Sequence, residues 1–301
     1  MEFRSLQVAD KDAVDNVLAP LRRNDSTLGW ANLYSLQEKY GLEICLEGGI
    51  LYVRQTRRLP HATAYFLPLG GADLVREAAG LVDEVCRAGG PFCFVGITPQ
   101  EKQRLEVGAP GAYSFTSDRA FADYLYRTED LAAYAGPGLA KKRREVNKFH
   151  QLYGASGIVF EPIGPVHLDE LRAFQQRWFE SSRRRGTDEH PLELEHRKIL
   201  LDLDHFRELD LEGILMRIGS QVEGYAYGSL LPGGAFDVMV LKGNLDYRYI
   251  WRVLLREQAG AVLGRAPYLN LEEDLGLPGM RENKMSYQPC ALLEKFIATP
   301  R

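Results

Sequence analysis

The sequence predicts an α+β protein made of two tandem units, each with a mixed sheet. Its 301 residues exceed what one compact core usually takes and suit two domains of ordinary size. A run of antiparallel strands followed by a helix and a further strand occurs in each half of the chain. The composition, 45% hydrophobic and 26% charged, is typical of a folded globular chain.

The first half predicts a helix, three strands, a helix, a strand and a helix. Apolar residues recur at helical spacing from Asp10 to about Arg23, which predicts the first helix. A loop containing DSTLGWANLY is predicted next, and Gly48-Gly49 then separates two alternating runs and indicates a hairpin. The remaining elements are the strand ATAYFLPL, a helix over 73–88, the strand PFCFVGI and a short helix opened by Thr98-Pro99.

The second half repeats this order. The strand IVFEPIG and two helices, about 166–182 and 192–206, precede a meander of GILMRIG, VEGYAYGSLL and AFDVMVLKG. A helix over 247–263, the strand PYLNLE and a last strand CALLEKFIA follow. This is the order of a Gcn5-related N-acetyltransferase (GNAT, acyl-CoA N-acyltransferase) unit. The predicted division is an N-terminal unit (1–112), a connecting segment with a basic helix (113–155) and a C-terminal unit (156–301).

Composition narrows the function classes. The net charge of -4 argues against a protein that coats nucleic acid along its whole surface. The N-terminus MEFRSLQVADKD lacks an apolar signal core and no apolar run is long enough to span a bilayer, so a cytoplasmic protein is expected. The four cysteines form no CxxC pair, so reduced thiols are expected and no metal site.

A basic helix is predicted from about Leu139 to Leu152. Its first turn carries Lys141, Lys142 and Arg143, where cations oppose the helix dipole. One interpretation is an ordinary solvated face. The other is a patch that grips the phosphates of a nucleic acid, a lipid head group or a nucleotide cofactor.

A cluster of charged residues accompanies the predicted strand PYLNLE, in the stretch LNLEEDLGLPGMRENKMSY. In an extended conformation Asn270, Glu272 and Asp274 share one face, and a helical turn would make Arg281 and Lys284 neighbours. The carboxylates could take a proton from an attacking amine or hold its ammonium form. Alternatively, one of them forms a buried pair with Arg281 or Lys284 and closes the fold without chemistry.

Two long stretches carry a family resemblance. DYLYRTEDLAAYAGPGLAKKRREVNKFHQLYG and LNLEEDLGLPGMRENKMSY resemble a bacterial family similar to the C-terminal domain of phosphatidylglycerol lysyltransferase. With the early STLGWANLY, the resemblance spans nearly the whole chain. It implies tandem acetyltransferase-like domains, as in the Fem-type peptidoglycan aminoacyltransferases, and Lys284 resembles the family's conserved lysine.

The resemblance also implies chemistry. Full lysyl-phosphatidylglycerol synthases take an amino acid from its charged tRNA and place it on a lipid head group. This chain lacks their membrane-spanning part, so a lipid acceptor is not expected. Met239 and Leu241 stand where the family often carries a His and a Glu, and only Lys242 of that pattern remains.

A coenzyme A donor has no motif in its support. The loop LKGNLDYRYIW has a single Gly243 in place of the Arg/Gln-x-x-Gly-x-Gly/Ala loop of acetyl-CoA-dependent enzymes. No cofactor is therefore firmly implied.

The preferred hypothesis is an acyl- or aminoacyltransferase that moves its group from aminoacyl-tRNA or acyl-CoA to an unknown acceptor. Glu272 or Asp274 would handle the acceptor amine, and Lys284 would stabilise charge on the transferred carbonyl. The residues predicted to bind the donor are Lys141, Lys142, Arg143, Lys242, Asn270 and Arg281. The alternatives are a catalytically inactive tRNA- or nucleotide-binding protein on the same fold, and an ordinary acyl-CoA N-acyltransferase with a degenerate phosphate loop.

Overall fold

The structure is a computed structural model that describes residues 1–301. Its helices are α1 (Lys11–Leu18), α2 (Trp30–Ser35), α3 (Gln37–Tyr40), α4 (Leu74–Ala88), α5 (Pro99–Gly108), α6 (Thr128–Ala133), α7 (Ala140–Tyr153), α8 (Leu168–Arg184), α9 (Glu189–Asp204), α10 (Ile250–Val262) and α11 (Pro278–Met285). None of them combines the length and the apolar character that a bilayer crossing needs.

The strands are β1 (Leu42–Glu47), β2 (Ile50–Gln55), β3 (Thr63–Tyr65), β4 (Phe92–Ile97), β5 (Tyr113–Ser117), β6 (Asp123–Arg127), β7 (Ile158–Pro162), β8 (Glu212–Ile218), β9 (Gln221–Leu230), β10 (Phe236–Gly243), β11 (Tyr268–Asn270), β12 (Ala291–Leu293) and β13 (Phe296–Pro300). They form two sheets of mixed direction, ordered β1-β2-β3-β4-β13-β5 and β12-β6-β11-β10-β9-β8-β7. Only β3 with β4 and β10 with β11 pair in parallel. The predicted hairpin and the predicted meander are both confirmed.

The end of the chain joins the two sheets. The sequence predicts one strand from CALLEKFIA, and this is wrong: β12 pairs with β6 in the second sheet, whereas β13 inserts between β4 and β5 in the first. Lys295 lies at the crossing, and its buried side chain binds Asp123 and Glu273. The sheets therefore cross the predicted boundaries at 112 and 155, and those domain limits stay a prediction.

A short buried helix occupies a segment that was predicted as a loop. All six residues of α2 are buried, and α2 packs against α9 of the second half. Trp30 and Leu33 join a core of 30 buried residues that draws on both halves of the chain, with Val14 from the first and Tyr225 from the second. This shared core brings α2 to the second sheet.

The opposite face of the second sheet has its own core. It is covered by α6, α7 and α10, through side chains such as Leu131, Val146 and Val253. The second sheet therefore lies between α8, α9 and the first unit on one side and α7 with α10 on the other. The basic helix α7 lies on this second side, whereas Asp237 and Asp202 bind residues of α2 on the first.

Candidate functional site in the split of the second sheet

The second sheet splits between β10 and β11. The two strands pair only at Phe236 with Leu269 and at Asp237 with Asn270. β11 then stays beside β6, because Leu271 N donates to Tyr124 O at 3.0 Å. The pairing of β10 with β9 is irregular just after Asp237. Asp237 and Asn270, both fully buried, thus mark the start of the split.

Asn270 ends β11. Its Oδ1 accepts a hydrogen bond from Glu272 N at 2.6 Å, and its Nδ2 donates to Asn24 O and to Asp123 Oδ2. Such a side-chain turn competes with continued strand pairing. The prediction that Asn270, Glu272 and Asp274 share one face of an extended segment is therefore wrong, because the chain turns directly after Asn270.

Among the three consecutive acids Glu272, Glu273 and Asp274, only Glu272 has a free carboxylate. Its backbone is left-handed, with φ 57°, and such strain in a residue other than glycine often accompanies function. The side chain is half-buried, and its carboxylate makes no hydrogen bond and has no cation within 4.0 Å. Burial raises its pKa, although the charges of Lys198 and Lys284 oppose that shift.

Asp274 is fully occupied by contacts. It receives Arg281 Nε at 2.8 Å and Nη2 at 3.0 Å, Tyr124 OH at 2.5 Å and Gly276 N at 2.8 Å. The Arg281 guanidinium in particular holds the pKa of Asp274 well below its ordinary range. Of the two predicted bases, Asp274 thus forms the buried pair that the alternative interpretation foresaw.

The Lys284 side chain binds backbone carbonyl groups. Its Nζ donates to the carbonyl oxygens of Leu271 and Glu273, the residues on either side of Glu272. Burial lowers the pKa of Lys284. The ammonium therefore holds the turn that presents the Glu272 carboxylate.

Asp237 is a buried acid that the sequence reasoning missed. Its Oδ2 accepts Asn32 Nδ2 at 2.7 Å, and its Oδ1 has no partner; Asn32 Oδ1 also has none. Burial, and then the negative charges of Glu272 and Asp123, raise the pKa of Asp237 well above its ordinary value. The sequence contained one indication of this buried acid, because Asp237 is the only acidic residue in the apolar strand FDVMVLKG. Its partner Asn32 comes from the helix that was predicted as a loop.

A second polar cluster lies on the same side of the sheet. The fully buried Asp202 accepts hydrogen bonds from Lys198 Nζ at 2.7 Å, from Tyr227 OH at 2.8 Å and from Ser35 Oγ. Burial alone would lower the pKa of Lys198, but the Asp202 carboxylate outweighs burial and raises it. Lys198 thus stays a cation whose field reaches Glu272.

The predicted donor-binding cations do not converge. Lys142 is buried, donates to Ser286 Oγ at 2.7 Å and lies 4.2 Å from the Tyr287 ring centre. Burial, helped by the neighbouring Arg252 charge, lowers the pKa of Lys142 to about 8. Arg143 donates to backbone carbonyls at the end of α6, and Lys141 is exposed.

Lys242 lies on the other side of the sheet from α7. Its Nζ pairs with Glu195 at 2.7 Å and sits 3.8 Å from the Trp178 ring centre. Burial lowers the pKa of Lys242, and Glu195 opposes that effect. The structure therefore brings together Asn270, Glu272 and Lys284, with Asp274 and Arg281 behind them, but separates Lys242 from the basic helix.

The sequence profile described as phosphatidylglycerol lysyltransferase, C-terminal, matches residues 18–299. The chain belongs to this family. No curated protein matches the sequence.

Solved structures similar to this lysyltransferase C-terminal family member cover nearly its whole length. A conserved protein of unknown function from Bacteroides thetaiotaomicron VPI-5482 is 26% identical, with a TM-score of 0.92 over 100% of both chains. The C-terminal domain (DUF2156) of a putative lysylphosphatidylglycerol synthetase from Agrobacterium fabrum is 14% identical, with a TM-score of 0.65 over 97% of this chain and 93% of that one. A tandem GNAT protein from the clavulanic acid biosynthesis pathway is 10% identical, with a TM-score of 0.50 over 99% and 98%.

These similarities confirm the predicted fold class. The chain is an α+β protein of GNAT-like units with two mixed sheets. Family and fold together point to an aminoacyltransferase-like protein.

Proposed function

We propose that this protein transfers an acyl or aminoacyl group from an activated donor to an amine, with Glu272 as the general base. The carrying observation is the Glu272 carboxylate, which is free of hydrogen bonds and ion pairs, whereas the adjoining acids Glu273 and Asp274 are both paired. Its raised pKa brings a carboxylate closer to the value that suits proton transfer near neutral pH.

In the proposed reaction, Glu272 moves one proton from the acceptor amine to the leaving atom. The acceptor amine attacks the carbonyl carbon of the donor ester or thioester, and a C–N bond forms. Glu272 takes the proton that the amine nitrogen loses. The bond from the carbonyl carbon to the leaving oxygen or sulfur then breaks, and the protonated Glu272 returns its proton to that leaving atom.

Asp237 supports this role for Glu272. Burial and the negative charges of Glu272 and Asp123 raise the pKa of Asp237, so the protonated form of Asp237 is favoured while Glu272 is ionised. Two carboxyl groups in one site push each other toward the protonated form. In this proposal Asp237 holds its proton beside the ionised Glu272, so the two acids do not both carry a full negative charge.

The other predicted residues take supporting roles in this proposal. Lys284 and Asn270 shape the turn that presents Glu272, and the Asp274–Arg281 pair anchors the turn from behind. Lys284 also supplies positive charge near the carbonyl in the transition state. On the donor side, Lys141 and Arg143 are the members of the predicted set on α7 that stay at least partly exposed.

One observation favours the second candidate, a binding protein without catalysis. Met239 is buried, and Leu241 packs against the core under α10. Apolar side chains thus stand at the two positions where the family often carries polar ones. A protein of this kind would bind an aminoacyl-tRNA or a nucleotide and leave it unchanged.

A donor-consumption assay separates these functions. The purified protein would be mixed with a labelled charged-tRNA pool or with acyl-CoA thioesters, each with a panel of amines, and transfer to amine measured. Glu272→Gln removes the base with little change in shape. Glu282→Gln is the matched control, because Glu282 is exposed on α11 and its side chain makes no hydrogen bond or ion pair.

Transfer that falls by about 10²–10⁴-fold in the Glu272 variant and not in the control supports the proposal. The donor that is consumed, charged tRNA or thioester, identifies the donor class. Saturable binding of charged tRNA with no consumption of either donor would instead establish the non-catalytic binding protein.

A further inference from the structure

A fully buried carboxylate fixes the position of one lysine beside the second sheet. Lys198 of α9 donates to Asp202, four residues later on the same helix, at 2.7 Å. Asp202 also accepts hydrogen bonds from Tyr227 OH at 2.8 Å and from Ser35 Oγ. Three donors from three elements thus hold this carboxylate in one orientation. The Lys198 side chain keeps 14% of its surface exposed, so its ammonium is held in place without being sealed off.

The ammonium of Lys198 has unused hydrogen-bond donors. A lysine has three N–H donors, and Lys198 gives one of them to Asp202 and none to another group. Lys284 instead gives two donors to backbone carbonyl oxygens, and burial lowers its pKa. Burial acts on the pKa of Lys198 in the same direction, but Asp202 outweighs it and raises that pKa. Lys198 therefore remains a cation that can donate two further hydrogen bonds.

Helix α2 carries the contacts that place this lysine beside Glu272. Its Ser35 binds Asp202, and Asn32, three residues earlier and on the same side of the helix, binds Asp237. Asp237 marks the start of the split from which the turn with Glu272 leaves. The charges of the lysine and of Glu272 interact, but no ion pair joins them. A free base and a free ammonium thus lie near each other without neutralising each other by contact.

We propose that Lys198 is a catalytic residue that donates a hydrogen bond to the carbonyl oxygen of the donor as that oxygen gains negative charge. This inference rests on the proposed function. When the acceptor amine attacks the carbonyl carbon, the π electrons of the C=O bond move to the oxygen. Lys198 stabilises that oxygen until the double bond re-forms and the leaving group departs. Lys198 keeps its own proton throughout, because Glu272 carries the one proton that is transferred.

The test is steady-state kinetics of Lys198→Met, with the charged tRNA or acyl-CoA thioester that the natural protein consumes. We expect kcat to fall by about 10²–10³-fold, the loss that follows removal of one donor to an oxyanion. KM should change little, because the hydrogen bond forms only in the transition state. Lys102→Met is the matched control, since Lys102 pairs with Glu106 at the same i,i+4 spacing on α5, a helix of the first half of the chain. This variant should keep the natural kcat.

The pH profile separates this role from an indirect effect on Glu272. The Lys198 charge opposes the upward shift of the Glu272 pKa, so its loss should raise that pKa further. Lys284, Asp123 and Glu273 also act on this pKa and are unchanged in the variant. The loss in kcat should persist at a pH where Glu272 is ionised in both proteins. A loss that vanishes there would overturn the inference, because Lys198 would then act only through the ionisation of Glu272.

Two further variants keep the inference open to refutation. If circular dichroism shows that Lys198→Met does not fold, Lys198→Gln carries the same prediction, because it keeps a hydrogen-bond donor for Asp202. Lys198→Arg keeps the cation and should recover part of the lost kcat. Full turnover in the folded neutral variant, with transfer still lost in Glu272→Gln, would overturn this inference and leave the proposed function standing. Full turnover in both would overturn the two together.

Discussion

The ammonium of Lys284 binds the carbonyl oxygens of the two residues that flank Glu272. The left-handed backbone of Glu272 is thus held from both sides by one side chain. Lys284 therefore fixes the backbone that positions the Glu272 carboxylate, in addition to any contact that it makes with a substrate.

Replacing Lys284 by alanine should destabilise the fold. Each of its two hydrogen bonds involves a charged donor, and a bond of this kind contributes about 1.5–3 kcal/mol. We expect the free energy of unfolding to fall by about 2 kcal/mol or more, measured by urea denaturation. Lys148→Ala, at an exposed lysine without a partner, should change it little. Equal stability of the two variants would contradict the role of Lys284 as the holder of the turn.

The Asp274–Arg281 pair predicts a pH dependence of stability. The pKa of Asp274 is lowered in the folded state, so its stabilising effect is complete above its unfolded value of about 3.9. That effect is lost as the pH falls toward the folded value. Asp274→Asn should therefore have a lower urea midpoint than the natural protein at pH 7, with a gap that narrows below about pH 4. A gap independent of pH would contradict this prediction.

Asp237 predicts the opposite sign. Its pKa is raised in the folded state, so its contribution to stability is complete below about pH 3.9 and declines as the pH rises toward the folded value. Asp237→Asn, which cannot ionise, should gain stability relative to the natural protein as the pH rises from 4 to 8. Thermal melting at matched ionic strength checks this. A stability difference between the two proteins that stays constant from pH 4 to pH 8, or that moves against the variant, would contradict this prediction.

Lys295 is the cation on which the crossing between the sheets depends. Lys295→Met would leave Asp123 and Glu273 without their shared partner, and the loss of one member of a buried pair costs about 3–5 kcal/mol. Urea denaturation followed by tryptophan fluorescence should show a loss of that size, and Lys39→Met, at an exposed lysine, should not. A loss below about 1 kcal/mol, the range of a surface pair, would mean that the crossing does not need this cation.

Local patterns predicted much of the fold. The amphipathic helix over 73–88 appears as α4 (Leu74–Ala88), and Asp73 caps it by accepting a hydrogen bond from Arg76 N. The meander appears as β8 to β10. Each of these elements is fixed by its own periodicity and by the turn residues beside it.

The remaining features of the fold and of the site depend on contacts between residues that are far apart in the sequence. Where the chain passes from one sheet to the other, Lys295 binds Asp123 and Glu273, which come from distant segments. No local sequence pattern indicates this contact. In the site, the sequence indicated the motif of residues 269–287, but only the structure shows that Arg281, Tyr124 and Gly276 bind Asp274 and leave Glu272 free. Asp237 and Asn32 are 205 residues apart, so their contact could not be derived from spacing.

The central claim is that Glu272 is a free carboxyl with an elevated pKa in the split of the second sheet. Carbon-13 NMR of the glutamate side-chain carboxyls across a pH series measures this directly, with Glu272→Gln to assign the signal. We predict a midpoint above the ordinary glutamate value of about 4.3. A midpoint at or below the ordinary value would mean that Glu272 is paired or fully solvated, and would contradict its role as the base.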